Sequence, residues 1–109
     1  MANINVLNLT PHSLNLLGVD GVTVTIHSSG VARVSSTSTV IDTVAGFSVT
    51  RTVFGDVVGL PDHVDGVIYV VSTLVLSALA GSRTDVYGPG PLLRDAGGNV
   101  VGANGLAVL

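Results

Sequence analysis

Leu14 to His27 reads LNLLGVDGVTVTIH, and this stretch decides the fold class. Asp20-Gly21 lies between Val19 and Val22, a pairing of turn residues that predicts a tight hairpin between two strands. In the second strand Val22, Val24 and Ile26 point one way, and Thr23, Thr25 and His27 point the other. The branched side chains of Val, Ile and Thr suit a pleated surface. The same pattern continues in both directions. Ile4 to Leu9 reads as a first strand, ended by Thr10-Pro11. Ser28-Ser29-Gly30 is a turn, Val31 to Ser35 a short strand, Ser36 to Ser38 a polar loop, and Thr39 to Val44 a further strand. Ala45-Gly46 turns the chain into an alternating strand from Phe47 to Phe54. Gly55 to Asp65 reads as irregular, with a brief extended piece at Val57-Val58.

Val67 to Val71 is an apolar run of strand length, suited to burial on both faces. Ser72 is placed to cap a short helix at 73–80, with Gly81 as its stop. Gly88-Pro89-Gly90-Pro91 reads as a rigid turn, Leu92 to Arg94 as a strand, and Asp95 to Asn99 as a hairpin loop into Val100-Val101. Turn signals every eight to twelve residues predict a mostly β fold, a compact antiparallel sandwich or small barrel with that one helix. The 109 residues form a single domain, 1–109.

Composition narrows the function. The chain has 21 Val, four Arg and seven Asp, and no Lys, Glu, Gln, Cys or Trp. Without Cys there is no disulfide, thiol nucleophile or thiolate metal site. Four cations and a net charge of −3 argue against duplex DNA, because affinity for phosphate scales with the number of cationic contacts. The 17-residue stretch Gly66 to Ser82, interrupted by Ser72, Thr73 and Ser77, is short for a membrane span of about 20 residues. Met1 to Asn5 carries no basic leader pattern. The expectation is a soluble, intracellular protein without a membrane anchor.

A folded chain of 10.9 kDa should expose roughly 5,600 Å². Eleven charges over that area are about one per 500 Å², well below an ordinary soluble surface. This predicts a homo-oligomer that buries part of the Val-rich surface.

His12, His27 and His63 lie on three separate segments without a metal-binding spacing, so no metal is expected. No Gly-x-Ser-x-Gly motif, phosphate-binding glycine loop or paired-carboxylate spacing is present. No catalytic residue and no cofactor are predicted. Arg51 is in phase with Phe47, Val49 and Val53, while Ser48, Thr50 and Thr52 take the other side. A cation on an apolar face needs a partner: an Asp, another subunit or an anionic ligand. Arg83 lies near Asp85 and Arg94 beside Asp95, as local neutralising pairs; Arg33, in Val31-Ala32-Arg33-Val34, is the remaining cation. The cluster Asn8-x-Thr10-Pro11-His12 reads as a turn stabiliser or as a polar ligand contact.

The chain resembles a group of small proteins of tailed phages, prophages and actinobacterial genomes. The resemblance rests on Asn8-Leu9-Thr10-Pro11-His12, Gly30-Val31-Ala32-Arg33-Val34 and Phe54-Gly55-Asp56-Val57-Val58-Gly59-Leu60-Pro61. It continues through Ile68-Tyr69-Val70-Val71-Ser72, Arg83-Thr84-Asp85-Val86 and Arg94-Asp95-Ala96-Gly97-Gly98. It implies a phage context, in the cytoplasm of an infected host cell or in a virion, and supplies no mechanism. The expected function is non-enzymatic: an accessory binding protein that sequesters an anionic small molecule such as a nucleotide immune signal, as an anti-defence factor. Arg51 and Arg33 would clamp phosphate, Tyr69 would stack on a base, and Asn8, Thr10 and His12 would read its edge. The alternatives are a virion decoration or assembly protein and, third, a small nucleotide-hydrolysing enzyme.

Overall fold

A computed structural model describes residues 4–109; Met1 to Asn3, and with them most of the leader-pattern reading, lie outside the described residues. The fold is mostly β with one short helix. Its elements in chain order are β1 (Asn5–Asn8), β2 (Leu14–Leu17), β3 (Thr23–Ile26), β4 (Arg33–Val44), β5 (Phe47–Val58), β6 (Val67–Val70), α1 (Thr73–Leu79), β7 (Val86–Pro89), β8 (Leu92–Arg94), β9 (Val100–Asn104) and β10 (Leu106–Ala107). No helix among the described residues is long and apolar enough to cross a membrane.

Two four-stranded sheets form the body, in the orders β1-β6-β7-β10 and β3-β2-β9-β8. Neither closes into a barrel. Both sheets are mixed: β1, β6 and β7 run parallel, as do β2 and β9, where hairpin signals predicted antiparallel neighbours. Parallel partners leave no local turn signature, because the connection between them is long. The core gathers Leu9, Ala32, Tyr69, Val71, Val75, Leu76 and Val86 between the first sheet and α1. Val67–Val70 is the central strand expected of an apolar run, and Val70 is fully buried.

The helix begins where the sequence placed it. The Ser72 hydroxyl accepts from the Val75 amide, and the chain leaves the helix through Ala80 in the left-handed region (φ 52°). The β2–β3 hairpin also forms, with Leu14 opposite Ile26 and Leu17 opposite Thr23. Its turn is wider than the two residues expected. The strands stop at Leu17 and Thr23, and a Gly18–Val22 loop closes through the Gly21 amide donating to Gly18 at 3.0 Å. Gly88-Pro89, read as a turn, instead ends β7, where Pro89 stands opposite Leu106.

The largest departure from the sequence reading is an arm. Ser36 to Ser38 is no loop, and Gly55-Asp56 no break. β4 and β5 are each 12 residues long and, among the described residues, pair only with one another. Ala45 and Gly46, both at positive φ, make the tip. Register shifts between Val34 and Ser36 and between Val40 and Asp42 accommodate an extra residue on each strand as bulges. Only the base, Val34 and Val57, packs against the core. The arm makes the molecule long: 55 × 40 × 20 Å, with a radius of gyration of 16.6 Å, where a compact chain of this length has about 13 Å. The accessible surface is 7,248 Å², roughly 1,600 Å² more than the size rule allows.

Candidate functional site

The Asn8-x-Thr10-Pro11-His12 cluster is a structural knot. Asn8 is fully buried at the end of β1. Its amide donates to the carbonyls of His12 (2.7 Å) and Ile26 (2.9 Å). Its carbonyl oxygen accepts from the Thr10 backbone amide (2.9 Å). The Thr10 hydroxyl lies 2.6 Å from that oxygen and 2.9 Å from the His12 carbonyl, with one proton to share between them. The hydrogen-bonding capacity of Asn8 is therefore spent inside the fold. Nothing of Asn8 or Thr10 is left to read a ligand edge.

Tyr69 is also withdrawn. Its ring is 2% exposed within the core, and its hydroxyl donates to the Asp62 carbonyl at 3.1 Å. Neither ring face is open for base stacking. The sequence reading missed this because an apolar run with one Tyr looks the same whether the ring lies in a cleft or in the core. His12 is exposed, and its backbone carbonyl is the part that the knot uses.

Arg51 keeps the predicted phase with Phe47, Val49 and Val53, but that face of β5 is not buried within the chain. It stands opposite Thr39. Arg33 lies at the base of the same arm, six residues from Thr39, or about 20 Å along the strand. One chain therefore cannot close both guanidinium groups on one small anion.

Of the residues expected to bind a ligand, Arg33 lines a recess. A surface depression of about 340 Å³ is bounded by Pro11, Val31, Ala32, Arg33, Val34, Ser72, Leu74 and Val75. It brings together the loop after β1, the start of β4 and the N-terminal end of α1. Among the described residues the ion pairs are His63–Asp65 and Arg83–Asp85, so the Arg33 guanidinium meets no carboxylate. Ser72 went unnoticed as a recess residue because its capping role already accounted for it.

The other two arginines, Arg83 and Arg94, are held in structural contacts. Arg83 grips Asp85 with two parallel hydrogen bonds, Nε to Oδ1 at 2.9 Å and Nη2 to Oδ2 at 2.8 Å. It also donates to the Pro61 carbonyl at 3.0 Å. Asp85 is buried, and the hydrogen bonds from Arg83 hold its carboxyl below the usual carboxylate range. A carboxyl depressed in the folded state stabilises the fold above its ordinary pKa of about 3.9, and that contribution disappears as pH falls through the lower folded value. Asp85→Asn is expected to cost about 2 kcal/mol at pH 7, since it leaves a largely covered guanidinium short of its partner. Urea midpoints of the two proteins should converge between pH 4 and the acid limit; a constant gap down to that limit would assign the loss to packing.

Arg94 donates to the Gly98 carbonyl at 2.9 Å rather than to Asp95. Asp95 accepts from the amides of Gly97 and Asn99 and shapes the β8–β9 loop. His27 Nδ1 lies 3.1 Å from the Ser13 hydroxyl. No three metal-ligating side chains gather among the described residues. Compared with known proteins, the chain matches no family model, no curated protein and no solved structure.

Proposed function

We propose that this chain is a non-enzymatic, phage-type binding protein that captures an anionic small molecule, of the class of a nucleotide signal, in the depression beside Arg33. The observation that carries this reading is the Arg33 guanidinium itself, a cation without a carboxylate at the mouth of a recess of about 340 Å³. Guanidinium binds phosphate and carboxylate in bidentate fashion. The Ser72 hydroxyl, whose oxygen accepts from Val75, retains its proton for a second contact. Val31, Val34, Leu74 and Val75 supply an apolar wall.

A thermal-shift panel of cyclic mono- and dinucleotides and ADP-ribose derivatives tests the reading. A ligand at about 100 times its Kd adds roughly 2.7 kcal/mol, a rise on the order of 10 °C for a domain this small. The rise should vanish in Arg33→Ala and survive in Arg51→Ala, because the two groups sit far apart in the chain. A flat response to every nucleotide would remove this function.

A second reading, a virion assembly protein, draws on the arm. Its strands extend well beyond the core and expose Phe47, Val49 and Val53, as suits a surface that packs against other subunits. Recovery of the protein in purified particles, together with a flat nucleotide panel, would favour it.

A further inference from the structure

We propose that the outward face of the β4–β5 arm is where two copies of this chain join, about a two-fold axis that sets Arg51 of each against Asp42 of the other. In an antiparallel pair, opposite residues share a face, as do alternate residues on one strand. The register therefore gathers Phe47, Val49, Arg51 and Val53 of β5 with Val44, Asp42, Thr39 and Thr37 of β4 on one side. The opposite side carries Ser48, Thr50 and Thr52 facing Thr43, Val40 and Ser38, and at its base Val34 and Val57 turn into the core. The outer part of the first side is exposed. Phe47 is 72% exposed and Val53 57%.

Three observations point to a second copy as the occupant. Beyond Arg33 at the base of this side, the apolar row is interrupted by one cation and one anion, Arg51 and Asp42, and neither forms an ion pair among the described residues. A surface bearing one charge of each sign beside an apolar row is self-complementary, which is what a two-fold interface requires, since residue i meets residue j and j meets i. The area also suffices. The surface in excess of the size rule, roughly 1,600 Å², is about twice the 800 Å² that each partner contributes to a standard interface. Finally, a foreign anion would contact Arg51 alone, leaving the valines and Phe47 in water. This interface is independent of any ligand at Arg33.

The test is sedimentation of the full chain at about 50 µM, above the micromolar Kd of a weak standard-size interface. The protein should sediment as a dimer, or an even multiple, of its 10.9 kDa mass. Asp42→Arg and Arg51→Asp each place like charges across both symmetry-related contacts and should weaken association ~100-fold or more. Mixed in equal amounts, the two variants should form a heterodimer, because every contact then again joins Arg to Asp. Both positions are exposed, and circular dichroism verifies that each variant is folded. A wild-type monomer would overturn the proposal. So would dimers that survive both reversals, or single variants that dissociate and fail to recombine when mixed. A nucleotide-induced thermal shift in the Asp42→Arg variant would leave the Arg33 reading standing whatever the sedimentation result.

Discussion

Asn8→Ala is expected to remove about 3–4 kcal/mol of stability, a large share of the 5–15 kcal/mol that holds a typical domain together. The side chain ties the end of β1 to the 10–12 loop and to the end of β3. Its own carbonyl accepts from the Ser29 amide at 2.8 Å, so the same residue joins the two chain crossings on one side of the body. Without the side chain, the Thr10 amide loses its partner, and the Ile26 carbonyl, opposite Leu14 in the β2–β3 ladder, loses a hydrogen bond. The His12 carbonyl keeps the Thr10 hydroxyl, which limits the loss. Each orphaned buried group costs about 1–3 kcal/mol. Asn8→Asp should be no better at neutral pH, because it turns a carboxylate toward two carbonyl oxygens and adds a buried charge. Urea titration should show a lower midpoint at unchanged slope. A loss below 1 kcal/mol would mean that water enters and replaces the knot.

Gly59→Ala is expected to cost about 2–4 kcal/mol, through a different route. Gly59 connects the arm to the body and sits at φ +86°. A Cβ there would lie 2.5 Å from the Val31 carbonyl oxygen and 3.5 Å from the Ala32 Cα. Both neighbours are backbone at the root of β4, so relief requires the arm to shift. The left-handed conformation costs an L-residue roughly 1–2 kcal/mol, and the reduced freedom of the unfolded chain returns only about 0.4–1 kcal/mol. Gly21→Ala is the matched control. Its φ is +81°, with nothing within 4 Å of the added carbon, so strain alone should lower its stability, by about 1 kcal/mol. Equal losses at the two glycines would remove the contact with Val31 from the explanation.

The elements with local signatures were legible in the sequence: the Leu14–His27 hairpin, the Ser72 cap, the Ala45-Gly46 turn and the apolar strand at Val67. Hairpins and caps are written in adjacent residues. The parallel pairings were not legible, because nothing near Asn5 identifies Val67 as its partner. The length of the arm was hidden by composition. Ser36 to Ser38 and Gly55-Asp56 carry turn residues, but pairing across the hairpin overrides these weak preferences, with the Ser38 and Thr52 hydroxyls 3.3 Å apart. The candidate ligand residues divided along the same line. Arg33 and Arg51 stand out in the sequence by their charge and are accessible. Asn8, Thr10 and Tyr69 stand out by polarity near apolar runs, and that pattern equally describes a satisfied core.

The parallel pairing of β1 with β6 also bears on how the chain is made. Asn5 must wait for Val67, about sixty positions later, which at a synthesis rate of roughly 5–20 residues per second is an interval of several seconds. The β4–β5 hairpin needs only neighbouring residues and can close within microseconds of leaving the ribosome. The nascent chain would thus carry a finished arm while the strand that anchors Asn8 is still unpaired. At high expression, arms on neighbouring ribosomes could meet before either body has folded.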